Sequence, residues 1–429
     1  MQRAFALLLV AISTAVALAA DVPFAPPRNL ALGTRPAAIA SGDLDRDGRA
    51  DLATVHPDTD EIWIASGRSN GDLAVTGPLR AGLAPRALHI ADVNGDRRLD
   101  LVVANAIGNT VSVFLGHGDG AFDAPREWQV GNSPRGVTVA DFDRNGTADI
   151  AAALFFDDTV AILMGNGSGD FALGETVSVR GGPAGVTTAE IDGNDSADLV
   201  VAVSLDEGAV AVLPGNGNGT FGEGLRIGVR PSLAPPAVRD VTGDGAPDIL
   251  VASESGDIVE VLVGDGHGGF SPASPLESGA FPVAVAAADL DRDGLIDVVT
   301  SESFADTVSV LRGRTGGGFE GRQIIATNAM PVGVVAADLD RDRAVDLVTA
   351  NLAGGGVSVL PSQLPVPPAC TGDCDERSKV TVSELVRITS IGSGQRPIGD
   401  CTAADPDGDD TVSSAESLVA VSNALAGCR

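Results

Sequence analysis

Residues 289–297 read DLDRDGLID and residues 43–51 read DLDRDGRAD, an acidic nine-residue pattern of the form D-x-D-x-D-G-x-x-D. The pattern recurs every 49 residues, with one interval of 50, at Asp43, Asp92, Asp141, Glu190, Asp240, Asp289 and Asp338. A fixed period of this length indicates one supersecondary unit repeated along the chain. The sequence therefore predicts a fold built from seven equivalent units.

The segments between the acidic loops have the patterns of short antiparallel strands. A short apolar segment such as 136–140 leads into each loop, and a second apolar segment such as 100–104 follows it directly. A third segment alternates in polarity, as in 110–114, and ends in a glycine-rich turn. In six copies a proline stands seven residues before the loop: Pro36, Pro85, Pro134, Pro183, Pro282 and Pro331. Proline is tolerated at the first residue of a strand, because no backbone amide is needed there for the hydrogen bonds of the sheet. Four strands per unit predict an all-β, seven-bladed β-propeller.

The phase of the repeat predicts how the ring closes. The fourth segment of each unit opens with a large apolar residue: Phe24, Leu73, Phe122, Phe171, Phe221, Phe270 and Phe319. The first of these precedes the first acidic loop, and the seventh unit stops after its third segment, 357–360. We therefore expect residues 24–32 to supply the outer strand of the seventh blade, which pairs an otherwise open edge.

The loops concentrate oxygen ligands at positions 1, 3, 5 and 9. Of these 28 side chains 24 are carboxylates, and the exceptions, Asn94, Asn145, Asn194 and Thr242, also offer oxygen. Hard oxygen ligands at alternating positions are what Ca²⁺ prefers. The predicted ligands are Asp43, Asp45, Asp47 and Asp51; Asp92, Asn94, Asp96 and Asp100; Asp141, Asp143, Asn145 and Asp149; Glu190, Asp192, Asn194 and Asp198; Asp240, Thr242, Asp244 and Asp248; Asp289, Asp291, Asp293 and Asp297; and Asp338, Asp340, Asp342 and Asp346. The alternative is a solvated acidic turn that binds no metal.

The seven loops are not equivalent. Position 6 is glycine in blades one, three, five and six, where a left-handed backbone costs little, but it is Arg97, Asp195 and Arg343 in the others. We expect the tightest calcium sites in blades one and six. Blade five, with Thr242 at position 3, and blade two should bind more weakly.

These repeats resemble the FG-GAP or VCBS repeat family, whose best-known members are the propellers of integrin α-subunits. The resemblance covers roughly residues 22–365 and rests on the seven matching loops. It implies a bladed propeller with calcium loops between the first and second strands of each blade. By analogy with integrins it also implies an adhesion or binding role.

The two ends of the chain differ from the repeats. Residues 1–20 have Arg3 before an apolar run and end in Ala17-Leu18-Ala19, as in a secretory signal peptide. We predict the propeller over residues 22–361, a proline-rich linker over 362–369 and a separate module over 370–429. All four cysteines lie in that module, at Cys370, Cys374, Cys401 and Cys428, and suggest two disulfides with three possible pairings.

The C-terminal module contains two segments with EF-hand spacing. The second, with Asp405, Asp407, Asp409, Thr411 and Glu416, is predicted to bind calcium and to lead into a helix. In the first, which starts at Asp373, Arg377 and Ser378 replace the usual Asp-Gly pair, and a disulfide-stapled helical tail is an equal alternative. The paired loops resemble dockerin modules.

Composition limits the function. The formal net charge of -30 argues against nucleic acid or an anionic membrane as partner, and no apolar stretch is long enough for a membrane span. No P-loop, nucleophile elbow or zinc cluster is present, and we expect no enzyme activity. Of the four histidines, we expect His117 and His267 to be exposed turn residues and His56 and His89 to be structural.

Two function classes remain. The first is a secreted, monomeric, non-catalytic scaffold that binds an extracellular protein or glycan. Phe155, Phe156, Phe281, Phe304 and Met330 fall on loops of the face opposite the acidic loops, where they either anchor a partner or cover the blade cores. The second class is a calcium-dependent polysaccharide lyase. The absence of tyrosine and the presence of only two tryptophans, Trp63 and Trp128, argue against it.

Overall fold

The computed structural model describes residues 21–364 except positions 70, 206 and 232. The predicted signal peptide (1–20) and C-terminal module (370–429), including its EF-hand ligands and cysteines, lie outside the described residues, as do residues 365–369 of the predicted linker. Regular structure in the described part consists of β-strands. No helix in that part is long and apolar enough to cross a membrane.

The strands form seven antiparallel sheets, which we call blades one to seven. The chain begins with β1 (Arg28–Leu30), and blade one contains β2 (Ala38–Gly42), β3 (Asp51–His56), β4 (Glu61–Gly67) and β5 (Leu73–Arg80). Blade two contains β6 (Pro85–Ala91), β7 (Asp100–Asn105), β8 (Thr110–Phe114) and β9 (Arg126–Gln129). Blade three contains β10 (Pro134–Ala140), β11 (Asp149–Leu154), β12 (Thr159–Gly165) and β13 (Phe171–Ser178). Blade four contains β14 (Pro183–Ala189), β15 (Asp198–Val203), β16 (Ala209–Leu213) and β17 (Leu225–Gly228). Blade five contains β18 (Ala237–Arg239), β19 (Asp248–Ser253), β20 (Ile258–Gly264), β21 (Phe270–Pro272) and β22 (Leu276–Glu277). Blade six contains β23 (Pro282–Ala288), β24 (Asp297–Glu302), β25 (Thr307–Gly313) and β26 (Phe319–Ala326), and blade seven contains β27 (Pro331–Ala337), β28 (Asp346–Asn351) and β29 (Val357–Leu360).

The first strand of each blade lies innermost, and neighbouring first strands contact one another around the complete ring, from β2 through β27 and back to β2. The all-β, seven-bladed propeller predicted from the repeat is confirmed. Five of the six repeated prolines begin these inner strands; in blade one the strand begins two residues after Pro36.

The N-terminal segment closes the ring as predicted. Strand β1 pairs antiparallel with β29, with Arg28 opposite Val359 and Leu30 opposite Val357, and so forms the outer strand of blade seven. The amide of Ala25 donates to the carbonyl of Pro361 at 2.7 Å. Hydrogen bonds to the propeller continue to Gln363, whose amide donates to the carbonyl of Pro23 at 2.6 Å.

The outer strands differ from the prediction in detail. Phe24, Phe122 and Phe221 form isolated bridges, and a continuous strand resumes only after them. In blades two and seven a proline (Pro125; Pro26 and Pro27) interrupts the ladder because it has no amide to donate. In blade five Pro275 separates β21 from β22, and both pair with β20.

The hydrophobic core lies between adjacent blades. Every residue of the second strand is buried in all seven blades. Because successive side chains of a strand point to opposite faces, β7 contributes Val102 and Ala104 to the cluster shared with blade three, and Leu101 and Val103 to the cluster shared with blade one. This packing holds the loops at each end of the blades in a fixed ring.

Candidate functional site

The seven acidic loops lie at one end of the blades, between the first and second strands, and we call this the acidic-loop face. In five blades the carboxylates of positions 1, 3 and 9 converge, with one oxygen of each within 4.8 Å of the others. These clusters are Asp43, Asp45 and Asp51; Asp141, Asp143 and Asp149; Glu190, Asp192 and Asp198; Asp289, Asp291 and Asp297; and Asp338, Asp340 and Asp346. In these five blades three of the four predicted ligand positions therefore come together, and each cluster could hold a metal ion.

Blades two and five lack such a three-carboxylate cluster in the described part of the chain. Position 3 there is Asn94 and Thr242, so positions 1 and 9 supply the only carboxylates of the triad. Asn94 lies within the loop and donates to Asp96 at 2.9 Å, and the Thr242 hydroxyl is 3.5 Å from Asp240.

Position 5 has a different role in this geometry. In all seven loops its side-chain oxygen accepts the amide of position 7, as in Asp47 from Arg49 at 2.9 Å and Asn145 from Thr147 at 2.7 Å. In blades one and two the other oxygen of the position-5 carboxylate forms an ion pair with the arginine at position 7, Arg49 or Arg98. The remaining position-5 residues, Asp96, Asn194, Asp244, Asp293 and Asp342, are held by the same loop amide.

Position 1 holds the turn of the loop. In six blades its carboxylate accepts the amide of position 6, as in Asp43 from Gly48 at 2.9 Å and Asp92 from Arg97 at 2.7 Å; Asp141, Asp240, Asp289 and Asp338 make the same bond. In blade four Glu190, which is longer, accepts the amides of Gly193 and Asn194 instead. The loop is therefore shaped by its own amides before any ion is considered.

Position 9 is the most deeply placed acid of every loop, and its role in packing was missed at the level of sequence. Its Oδ2 accepts the amide of position 2, and its Oδ1 accepts an amide just beyond or at the end of the third strand. Asp100, which is fully buried, accepts from Val93 at 2.9 Å and from Gly116 at 2.7 Å. The same pair of bonds recurs at Asp51, Asp149, Asp198, Asp248, Asp297 and Asp346.

Burial changes the ionisation of these groups. Desolvation raises the pKa of Asp51, Asp100, Asp149, Asp198, Asp297 and Asp346 to about 6, although the two backbone amides oppose the shift. Burial together with the neighbouring carboxylates also raises the pKa of Asp45, Asp291 and Asp340. A cation at the cluster would favour the charged form of every one of these acids.

The donor set fits a hard divalent cation. Each carboxylate has about four acceptor positions, and the amides of position 2 and the third strand occupy two of those at position 9. In blade six the buried Oδ1 of Asp289 has no hydrogen-bond partner among the described residues, although its Oδ2 accepts from Gly294 at 3.0 Å. An unsatisfied buried oxygen beside two further carboxylates is the environment that Ca²⁺ would complete.

The loop backbone is left-handed at two positions. Position 6 has positive φ in all seven copies, including Arg97 (φ 65) and Asp195 (φ 61), as expected from the glycines found there in other blades. Position 4 is also left-handed throughout, as at Arg46 (φ 61), which the sequence analysis missed. The signal was present, because position 4 is glycine at Gly95, Gly193 and Gly243.

Three of the four arginines at position 4 link neighbouring loops. The Arg144 Nε donates to the carbonyl of Asp195 at 3.1 Å, the Arg292 Nε to the carbonyl of Arg343 at 3.1 Å, and the Arg341 Nη1 to the carbonyl of Asp47 at 3.2 Å. Each bond joins the loop of one blade to that of the next. The acidic-loop face is therefore partly a connected ring.

The other end of the blades carries the turns between second and third strands, residues 57–60, 106–109, 155–158, 204–208, 254–257, 303–306 and 352–356, together with the connections between blades. We call it the opposite face. It surrounds the mouth of a central cavity of about 640 Å³. Ile107, Phe156, Leu205 and Phe304 are exposed on it by 72%, 70%, 46% and 68%.

The five apolar residues predicted to lie on this face divide between the two roles considered. Phe156 and Phe304 are exposed, and Phe304 stacks on Phe281 with ring centroids 4.3 Å apart. Phe155 is buried, with the guanidinium of Arg135 3.5 Å from its ring centroid. Phe281 and Met330 are half-buried.

The histidines and tryptophans form no shared site. The buried His56 hydrogen-bonds the Thr54 hydroxyl at 2.9 Å and the Thr34 carbonyl at 2.8 Å, and burial lowers its pKa, as it does that of His89. His117 and His267 are exposed in turns, as expected. Trp63 and Trp128 are half-buried, one bonded to Glu61 and the other edge-on to Phe171.

The fold and loops together define a seven-bladed propeller with an acidic loop in each blade, five of which bring three carboxylates together. The family model described as FG-GAP-like repeat matches residues 43–103, 92–152, 240–300 and 293–349, which together cover half of the chain. The chain belongs to this family of FG-GAP-like repeat proteins. A comparison with curated proteins gave no match.

Solved structures share the fold at low identity. A 6-phosphogluconolactonase candidate from Bacteroides uniformis is 17% identical, with a TM-score of 0.56, over 69% of this chain and 87% of that chain. BBS1N, solved in complex with ARL6DN, is 13% identical, with a TM-score of 0.55, over 80% of this chain and 98% of its own. An Agrocybe aegerita lectin that recognises terminal N-acetylglucosamine is 20% identical over 69% of this chain and 81% of its own, with a TM-score of 0.49. The first two likenesses show the propeller fold alone.

Proposed function

We propose that this chain is a secreted, calcium-binding propeller that acts as a non-catalytic binding scaffold for an extracellular protein or glycan. The ligand is placed on the opposite face, and calcium in the acidic loops serves the stability of the blades. Export rests on the sequence of residues 1–20, and the C-terminal module is proposed as a second calcium-binding, dockerin-like unit. The mature chain is proposed to act as a monomer.

One observation carries this proposal: the two faces have different chemistry. On the acidic-loop face the carboxylates are engaged by amides of their own loop and blade, as Asp100 is by Val93 and Gly116. On the opposite face large apolar side chains are exposed, with Phe156 bordering a cavity of about 530 Å³ and Phe304 in the corresponding turn of blade six. Exposed aromatic residues at a concave surface are typical anchors of a bound partner.

Calcium would supply compensating charge to carboxylates held close together. Two carboxylates about 5 Å apart repel by roughly 3 kcal/mol at an effective dielectric constant near 20. The loops of blades one and six combine a complete three-carboxylate cluster with glycine at position 6, and we propose that they bind calcium most tightly. Blades two and five, with Asn94 and Thr242 at position 3, are proposed to bind it most weakly.

The test is ligand capture with matched surface variants of the mature chain. Immobilised protein is exposed to extracellular proteins and polysaccharides in calcium, and captured material is identified by mass spectrometry and sugar analysis. We expect capture to be lost in the double variant Phe156→Ala, Phe304→Ala. The control variant Leu173→Ala, Ile324→Ala removes two side chains of similar exposure, 55% each, from the outer strands β13 and β26 and should retain it.

The same experiment distinguishes the enzymatic alternative. The soluble protein is incubated with each captured polysaccharide, and new reducing ends and the absorbance of unsaturated uronates are followed. Calcium-dependent release of shortened products would replace the scaffold proposal with a lyase. Capture that survives the Phe156→Ala, Phe304→Ala double variant but not the control would place the ligand elsewhere.

A further inference from the structure

The opposite face contains a pair of arginines at equivalent positions of adjacent blades. Arg86 and Arg135 each occupy the second residue of an inner strand, β6 and β10. The seven equivalent positions all line the mouth of the central cavity, and the other five are small or apolar: Ala37, Ala184, Ala234, Val283 and Val332. Positive charge is therefore confined to blades two and three of this ring.

The two guanidinium groups are held near each other without an acidic partner. Among the described residues neither Arg86 nor Arg135 forms an ion pair. The Arg135 guanidinium lies over Phe155, 3.5 Å from the ring centroid, and 5.8 Å from that of Phe156. Burial, and then the charge of Arg86, lower the pKa of Arg135, so the two charges repel each other within the cavity mouth.

Two acids in the turns of blades one and three, Asp58 and Asp157, have partners of their own, although Asp58 lines a cavity together with both arginines. Asp58 is paired with Arg35 at 3.3 Å, and Asp157 accepts both the amide and the side-chain nitrogen of Asn132 at 2.6 Å. Glu254 of blade five also lines the central cavity. Because no ion pair among the described residues engages Arg86 or Arg135, an external anion would complete them with charge-assisted hydrogen bonds even though the chain has a formal net charge of -30.

The surroundings of the pair favour a ligand that is both acidic and apolar. Arg86 and Arg135 line the central cavity and also a second one of about 530 Å³, which is bordered by Ile107 and Phe156. Those two side chains are exposed by 72% and 70%, and Leu83 nearby in the chain by 56%. The central cavity, which both arginines also line, is bordered mostly by aliphatic side chains such as Leu233, Val283 and Val334, and a peptide with alternating acidic and apolar side chains complements it better than a sugar does.

The acidic loops do not prevent such an anion from approaching. Strand β6 has seven residues, which separates the two faces by roughly 20 Å at about 3.3 Å per residue. This distance is more than two Debye lengths at physiological ionic strength, where the length is about 8 Å. Binding by the arginine pair is therefore a short-range effect that salt weakens.

We propose that Arg86 and Arg135 bind a carboxylate of an acidic peptide segment, whose adjacent apolar side chains pack on Ile107 and Phe156. This inference rests on the proposed function, because it names the chemistry of the partner on the same face. Two arginines can share one carboxylate or hold two successive ones, and each contact is a charge-assisted hydrogen bond.

The test measures binding of defined probes to the mature chain in calcium by fluorescence polarisation. The probes are a labelled peptide of alternating glutamate and leucine, the same peptide with glutamine for glutamate, and an oligogalacturonate as a carboxylate on a glycan. We expect the glutamate peptide to bind at least tenfold more tightly than the glutamine peptide. Arg86→Ala should lower its affinity about tenfold, Arg86→Lys should restore part of it, and raising salt should weaken it.

Matched variants separate this site from general charge effects. Arg97→Ala removes an exposed arginine from the acidic-loop face and should leave peptide affinity unchanged, whereas Phe156→Ala should reduce it. Arg135→Ala also removes the contact with Phe155, so its melting temperature is measured alongside. Among the described residues the Arg86 side chain forms no hydrogen bond or ion pair, so Arg86→Ala serves as the primary variant.

The outcomes separate the two proposals. Equal binding of the glutamate and glutamine peptides, or no effect of Arg86→Ala, overturns the arginine site. Binding of oligogalacturonate without the glutamate peptide overturns the assignment to a peptide. If the capture of natural ligands depends on Phe156 and Phe304 but not on Arg86 and Arg135, the scaffold proposal survives and the arginine site fails. If capture depends on neither pair, the scaffold proposal fails as well.

Discussion

The two faces of the propeller use the same repeat in opposite ways. On the acidic-loop face all seven copies fasten the position-9 carboxylate by two backbone amides and hold position 6 in a left-handed conformation. On the opposite face equivalent positions diverge, as where Arg86 and Arg135 stand among Ala37, Ala184 and Val283. Repetition therefore marks what every blade needs to fold, and departure from the repeat marks where a particular ligand can be recognised.

Removing calcium should affect the acidic-loop face most strongly, because it acts on all loops at once. A ligand present at one hundred times its Kd stabilises the folded state by about 2.7 kcal/mol per site. With several occupied loops we expect the melting temperature to fall by about 10 °C or more when EDTA replaces calcium. Calorimetry of the mature chain measures this shift.

Two controls sharpen that result. Magnesium at the same concentration should restore less stability than calcium, because it demands a smaller octahedral site and gives up its water reluctantly. Binding of the glutamate–leucine peptide serves as a readout of the opposite face in calcium. An unchanged melting temperature in EDTA would show that the loops are solvated acidic turns.

The pH dependence of stability should reverse sign with metal. In metal-free protein burial raises the pKa of Asp100, Asp149 and the equivalent aspartates of blades one, four, six and seven to about 6, above the ordinary value of 3.8. The folded state then holds the proton more tightly than the unfolded chain, so this stabilisation is complete below about pH 4 and is lost as the pH rises through 6. In calcium, protons compete with the ion, and stability should fall as the pH is lowered across the same range.

Denaturant midpoints between pH 4 and 7 check this prediction in metal-free buffer and in calcium. The measurements are made in high salt, which screens the repulsion arising from the net charge of -30. Asp149→Asn, which removes one of the shifted groups, should flatten the metal-free profile. A metal-free protein that gains stability from pH 4 to 7 would contradict the role given to these buried acids.

Removing one position-9 carboxylate should destabilise a single blade junction. Asp100→Ala leaves the buried amides of Val93 and Gly116 without their acceptors. Each unsatisfied group costs about 1–3 kcal/mol, so we expect a loss of roughly 2–6 kcal/mol in the free energy of unfolding. Denaturant unfolding is measured in metal-free buffer, so that the change in the free energy of unfolding reflects the lost hydrogen bonds and not the loss of bound calcium.

The control for Asp100→Ala is another aspartate of the same blade. Asp119 is exposed in the glycine-rich turn and accepts only the amide of Ala121, at 3.0 Å. Asp119→Ala should change the free energy of unfolding by no more than about 0.5 kcal/mol. Equal effects of the two variants would show that position 9 is a metal ligand without a separate structural role.

The sequence predicted the topology well because the repeat carries it. The 49-residue period and the phase of Phe24 relative to Asp43 were sufficient to predict seven blades and closure by the N-terminal segment, which the pairing of β1 with β29 confirms. Pro125 and Pro275 explain the shortened outer strands of blades two and five. These prolines occur in single copies of the repeat, so the repeat pattern does not predict their effect.

The candidate sites were only partly predictable. Alternating oxygens identified the carboxylate clusters, but spacing alone could not show that Asp100 is shared between a loop and the end of the third strand. The pair formed by Arg86 and Arg135 also escaped sequence analysis, since residues 49 positions apart become neighbours only when blades pack side by side. Relations across blades depend on the ring, which no single repeat contains.

The smallest expected effect concerns the backbone of one loop. Arg97 is exposed at position 6 with φ 65, where a residue with a side chain costs about 1–2 kcal/mol relative to its right-handed conformation. Arg97→Gly removes this cost, and the greater freedom of glycine in the unfolded chain offsets about 0.4–1 kcal/mol of the gain. We expect a net stabilisation of roughly 0.5–1 kcal/mol in metal-free buffer, measured by denaturant unfolding.

The matched control is Arg68→Gly. Arg68 is exposed in a turn and does not have a positive φ, so its replacement by glycine should destabilise the protein slightly. If both variants lose stability equally, the left-handed turn carries no strain, and the weaker calcium binding proposed for blade two must come from Asn94 alone.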